Sequence, residues 1–136
     1  NYFSLVTSKK RATSIDVHGN QYGLLAASKC FRMSQLTCVT CHDVHKNEAG
    51  KIALLSQRCQ SCHSAGHEIT CRMTTTLGNS INNNCIDCHM PKKPSHSITL
   101  LLQENEPAVS ATIRTHYIKI YPEETRKFIA SRQSKK

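Results

Sequence analysis

The sequence predicts a mainly α chain with much irregular structure and few or no strands, wrapped round a centre that its own aliphatic residues do not fill. Three observations carry that reading. Over 136 residues only 38% are hydrophobic and 5% aromatic, with no tryptophan, so little apolar area is available for a core. Eight cysteines and eight histidines are far more than packing alone requires. Six of those cysteines fall into three Cys-x-x-Cys pairs, each followed at once by histidine.

Along the chain, residues 1–17 read as an N-terminal segment, 18–121 as the main domain and 122–136 as a basic helix and tail. Alanine and leucine enrichment predicts a helix near 21–33, and a second is expected from about Lys51 into Cys59, with a short turn at each Cys-x-x-Cys-His. Gly78-Asn79-Ser80 with Asn82 to Asn84 reads as a loop, and residues 97–103 and 112–120 suit short strands or extended cover equally. The last helix is the best signalled. Pro122 opens it, Glu123 and Glu124 lie in its first turn, and Arg126, Lys127 and Arg132 follow, a charge order that complements the helix dipole. Apolar runs such as Ile98 to Leu102 are short, so no transmembrane segment is expected. A chain that opens on Asn1 with no basic region leading into an apolar one is expected to be a mature or trimmed product.

The three pentads are Cys38-Val-Thr-Cys41-His42, Cys59-Gln-Ser-Cys62-His63 and Cys85-Ile-Asp-Cys88-His89. This is the attachment signature of haem c. Cysteines at i and i+3 lie on one side of a helical turn, so both thiols can add to the two vinyl groups on one haem edge, and the adjoining histidine reaches the iron as proximal ligand. At the chain's own cysteine and histidine frequencies one such pentad is expected roughly 0.03 times by chance, so three are not accidental. The rival is a four-thiolate zinc site, since Cys38, Cys41, Cys59 and Cys62 have the spacing for one. That site has no use for His42 or His63 and strands Cys85, Cys88 and His89, so three covalently attached haem c groups are expected, each iron taking His42, His63 or His89. The domain at 18–121 then reads as a trihaem unit built around a haem core. Cys30 and Cys71 are left over. Haem c is normally attached outside the cytoplasm, which points to an exported protein, periplasmic or extracellular, and there the two either form a disulfide worth about 3–4 kcal/mol or remain two small buried thiols.

For the opposite iron faces, His18, His45, His67, His96 and His116 are candidates. Met90 directly follows His89 and cannot wrap round to the far side of the same iron, and Met33 and Met73 stand among polar residues. Bis-histidine coordination is therefore expected, with a lower reduction potential than a histidine and methionine pair gives. His45 stands three residues after His42 and suits a neighbouring haem better than its own. His18, beside Gly19, and His116, among Ile113, Ile118 and Ile120, are the other expected distal ligands, whereas His67 and His96 lie among small or polar residues and read as spare.

The run Cys38-Val-Thr-Cys41-His42-Asp43-Val44-His45, then Cys59 to His63, then Cys85-Ile-Asp-Cys88-His89-Met90-Pro91 resembles the multihaem cytochrome c superfamily. The likeness is to the branch that holds the tetrahaem electron acceptor of hydroxylamine oxidoreductase and related domains found beside tetratricopeptide repeats. It covers about residues 18 to 121, including Ser28-Lys29-Cys30-Phe31-Arg32 and Arg114-Thr115-His116-Tyr117-Ile118. The resemblance implies a small multihaem cytochrome c, and distal ligation by His45 and His116. Members generally carry a further haem motif upstream; this chain has none, so it is a three-haem variant or one portion of a larger protein.

Electron transfer is the expected function. A nitrite or hydroxylamine type redox enzyme needs an open iron, often marked in this family by lysine in place of the motif histidine, and no Cys-x-x-Cys-Lys occurs. A subunit of a larger multihaem assembly or filament, or a homo-oligomer, shares the same chemistry. Eighteen Lys and Arg against nine Asp and Glu give +9, yet Lys9, Lys10, Arg11, Arg126, Lys127, Arg132, Lys135 and Lys136 sit near the ends without interleaved aromatics, so no nucleic acid partner is expected. Haem propionates take roughly three charges off that balance. Acidic redox partner proteins fit best.

Overall fold

A computed structural model describes residues 20–64 and 71–133. The chain divides into two compact units, each assembled from separated stretches of sequence. The described residues of the first are 20–35 and Met90–Lys119; those of the second are 36–64, 71–89 and 120–133. The domain expected at 18–121 thus spans both, and the segment expected at 1–17 lies outside the described residues.

In the first unit, α1 (Gln21–Ala26) starts where Asn20 Oδ1 accepts the Gly23 N–H at 2.7 Å. It buries Leu24 and Leu25, and Leu24, Ala27 and Tyr117 form the one hydrophobic cluster among the described residues. The helix expected over 21–33 is broken. Ser28, wholly buried, leaves helical geometry at ψ 143° before α2 (Lys29–Arg32) begins. Its hydroxyl accepts the Ile118 N–H at 2.8 Å and lies 3.2 Å from the His116 carbonyl and 3.3 Å from that of Leu24, so satisfying a segment distant in sequence overrides local helix propensity.

The same unit holds an antiparallel two-stranded ribbon, β1 (Lys92–Leu100) and β2 (Val109–Arg114). Lys92 faces Arg114 at its base and Leu100 faces Val109 near its turn. Between Pro94 and Thr99 the register slips, because Ser95 Oγ accepts both the Ser97 and Ile98 N–H groups. Few strands were expected and two are present. They start earlier than the apolar runs suggested, since pairing begins at the lysines, and 115–119 continue as irregular chain.

The second unit is made of α3 (Cys38–Cys41), α4 (Ile52–His63), α5 (Thr74–Leu77), a 3-10 turn (Asn79–Asn83), α6 (Ile86–His89) and α7 (Pro122–Gln133). Its α4 packs on the 3-10 turn, and α7 on α6. The stretch read as a loop before Cys85 is that 3-10 turn, with Gly78 taking the φ of 75° that ends α5. The expected helices from Lys51 and from Pro122 are both present, the first running through the second pentad to His63. No described helix is long and apolar enough to cross a membrane.

Candidate haem attachment site

All three pentads belong to the second unit. Each forms one turn of helix. The His42 N–H donates to the Cys38 carbonyl at 2.9 Å, the His89 N–H to the Cys85 carbonyl at 3.1 Å, and Cys59 to His63 lie inside α4. Paired thiols in each case therefore share one side of a turn, as two-point attachment to one haem edge requires.

A feature the spacing did not reveal recurs in all three. The residue before the second cysteine is short and polar, and it bonds back to the residue before the first. Thr40 Oγ1 accepts the Thr37 N–H at 3.0 Å; Ser61 Oγ donates to the Arg58 carbonyl at 2.7 Å; Asn84 Nδ2 donates to Asp87 Oδ2 at 2.8 Å while the Asp87 N–H returns to Asn84 Oδ1 at 3.3 Å. The signal was in plain view as Thr, Ser and Asp at one position of the motif. Its meaning needed the backbone.

Arg58 joins the first and second pentads. Its guanidinium donates to the Cys41 carbonyl and to both oxygens of the buried Glu48 carboxylate, Nη1 reaching Oε2 at 2.7 Å. Those bonds hold Glu48 down at about 2. Glu48 Oε2 also accepts the Asp43 N–H at 3.2 Å and stands 4.0 Å from His42 Nδ1, so a carboxylate faces the ring nitrogen that would not bind iron. An open cleft of about 340 Å³ adjoins this group, lined by Val39, His42, Asp43, Val44 and Arg58.

The second and third pentads meet through Ser56, which is fully buried and whose Oγ accepts the Cys85 N–H at 3.0 Å. A hydrogen bond from Cys59, followed by the Ser56 contact, lowers the Cys85 thiol to about 6, while burial pushes the Cys88 thiol up. Gln60 Nε2 donates to the Asn82 carbonyl and ties α4 to the turn before Cys85. Exposure is graded: Cys38 and Cys62 are exposed, Cys41, Cys59 and Cys85 half-buried, and Cys88 buried.

His45 does not continue the helical turn of His42. His42 is extended at φ −125° and ψ 133°, and an Asx turn follows in which Asp43 Oδ1 accepts the His45 N–H at 3.0 Å. The ring is exposed. Lys46, hydrogen-bonded to Asp43 at 2.9 Å, holds that carboxyl below its ordinary range.

In the first unit His116 is half-buried, and Gln21 orients it: Gln21 Nε2 donates to the Arg114 carbonyl at 3.3 Å, which turns Oε1 towards His116 Nδ1 at 2.8 Å and its N–H at 3.2 Å. An amide oxygen only accepts, so Nδ1 carries the proton and Nε2 the lone pair, the tautomer of an axial ligand. His96 is exposed on β1. His18 and His67 lie outside the described residues. Cys30 is half-buried on α2 in the first unit and Cys71 half-buried in the second. Among the described residues no three His, Cys, Asp or Glu side chains converge as a metal ion alone would need. No family model, curated protein or solved structure matches the chain.

Proposed function

We propose that the chain is a trihaem c-type cytochrome that transfers single electrons and works outside the cytoplasm. The observation that supports this most is the repetition of Cys-x-x-Cys-His as a hydrogen-bonded helical turn, three times in one unit. The residues fit the group: thiols sit one turn apart, and His42 has a carboxylate behind Nδ1. Cys38 with Cys41, Cys59 with Cys62 and Cys85 with Cys88 would form the thioethers, and His42, His63 and His89 would be proximal ligands. Covalent haem supplies one-electron exchange at iron. The chain supplies the rest. Gln21 fixes the tautomer of His116 as a distal ligand, and Arg58 and Ser56 tie the three attachment turns to one another, which favours short distances for electron passage. Five histidines remain for three distal positions, so every iron can be saturated, which favours transfer over catalysis at an open iron.

The test is a pyridine haemochrome spectrum with an intact mass. Three haems per chain are expected. A mass of polypeptide alone, or of polypeptide with zinc, overturns the reading. Acidic redox partners are part of the proposal, so transfer rates should fall as salt is added.

A further inference from the structure

Fifteen consecutive residues of the ribbon, 96–110, are exposed. Five of them are large and aliphatic: Ile98, Leu100, Leu101 and Leu102, from 42 to 66% exposed, and Val109 at 43%. Leu100 and Val109 pair across the two strands and so share one face, and Ile98 stands at the end of the slipped stretch, one residue before regular pairing resumes at Thr99. A two-stranded ribbon is marginal in water unless its apolar face is covered. Nothing in the described chain covers this one.

The charges on the ribbon say what would. Between Lys93 and Arg114 there is no lysine or arginine, and the turn carries Glu104 and Glu106, both exposed. On a chain of net charge +9 this is an acidic tip on a basic body. At the other end the ribbon starts with Lys92 and Lys93. One ribbon therefore presents an acidic tip, an apolar middle and a basic base in line, and this order is complementary to its own reverse. A two-fold axis through the Ile98–Leu100 stretch lays one apolar face on the other and carries each acidic turn to the opposite pair of lysines.

We propose that the β1–β2 ribbon is a self-docking surface, which joins two copies of this chain face to face and antiparallel, tip to base. The inference does not depend on the haem reading. Fifteen residues a side is smaller than the roughly 20–30 of a standard stable interface, so the dimer is a weak one that dissociates on dilution.

Sedimentation equilibrium of the full chain, from micromolar to millimolar, tests it. The expected result is a monomer–dimer equilibrium. Leu100→Glu should raise its dissociation constant at least tenfold, with unchanged circular dichroism because the side chain is exposed. Glu104→Lys with Glu106→Lys makes tip and base both basic, Lys92→Glu with Lys93→Glu makes both acidic, and each variant alone should be monomeric. An equimolar mixture of the two restores both contacts and should dimerise. A wild-type chain that is monomeric throughout, charge variants that dimerise as it does, or a mixture that stays monomeric each overturns the proposal.

Discussion

Arg58 stands one residue ahead of the second pentad, yet its side chain serves the first, through the Cys41 carbonyl and the Glu48 carboxylate. Because the folded pKa of Glu48 is depressed to about 2 from an ordinary 4.5, its contribution is fully present above the unfolded value and is lost as pH falls through the folded one. Unfolding midpoints in denaturant should therefore decline as pH is lowered from about 4.5 to about 2, and Glu48→Gln should flatten that part of the profile. The back-bonds inside the pentads act at the same scale. Asp87→Ala removes the bond that Asn84 Nδ2 donates to the carboxylate while the backbone N–H at 87 keeps Asn84 Oδ1, so one half of the reciprocal pair is lost, and on the proposed reading haem occupancy at the third pentad should fall, read by mass on tryptic peptides. Equal occupancy in Asp87→Ala and wild type would show that this turn needs no help from the residue between the cysteines.

Elements were legible where their signals are local. The helix from Pro122 to Gln133 follows from its own first and last turns, and the helix from Ile52 ends within the motif that spacing had marked. Legibility stopped where partners are remote. Nothing near Ser28 says that the N–H it satisfies belongs to Ile118, ninety positions on, and the same holds for Gln21 with His116. Motif residues could be named from sequence because each pentad is local, five consecutive positions repeated three times; Glu48, Arg58 and Ser56 could not, because tertiary contact alone brings them to the pentads. Ser28→Ala would leave the half-buried Ile118 N–H without its acceptor beside the fully buried position 28 and should cost ~1–3 kcal/mol in chemical denaturation, with α1 helicity retained. A loss within 0.5 kcal/mol, the range of an ordinary surface change, would mean that the break between α1 and α2 has another cause.

For the whole molecule, what is missing from the core matters most. Among the described residues only nine hydrophobic side chains are buried, four of them alanine or cysteine, and only Leu24, Ala27 and Tyr117 cluster. Against about 1–2 kcal/mol of backbone entropy per residue such burial is slight, which is why a haem core is part of the proposed reading. A chain with all six motif cysteines changed to serine and purified without haem should show no cooperative thermal transition by circular dichroism; a native-like melt would place the core in the polypeptide. In the loaded chain, electron paramagnetic resonance should show low-spin ferric irons, and His67→Ala or His96→Ala should leave the spectrum unchanged.

Cys88 is covered late. Helix α7, which packs on α6 and whose Thr125 hydrogen-bonds to Cys88, begins only after the whole of Met90–Lys119 has intervened. A chain that emerges N-terminus first therefore presents all three pentads before the element that shuts over the third exists. Until α7 docks, Cys88 lacks the hydrogen bond from Thr125 and the helix that packs against its own. On the proposed reading, loading of the third pentad and completion of its unit are thus in a race, and a change that loosens α7 lengthens the time allowed without touching any residue that would bind.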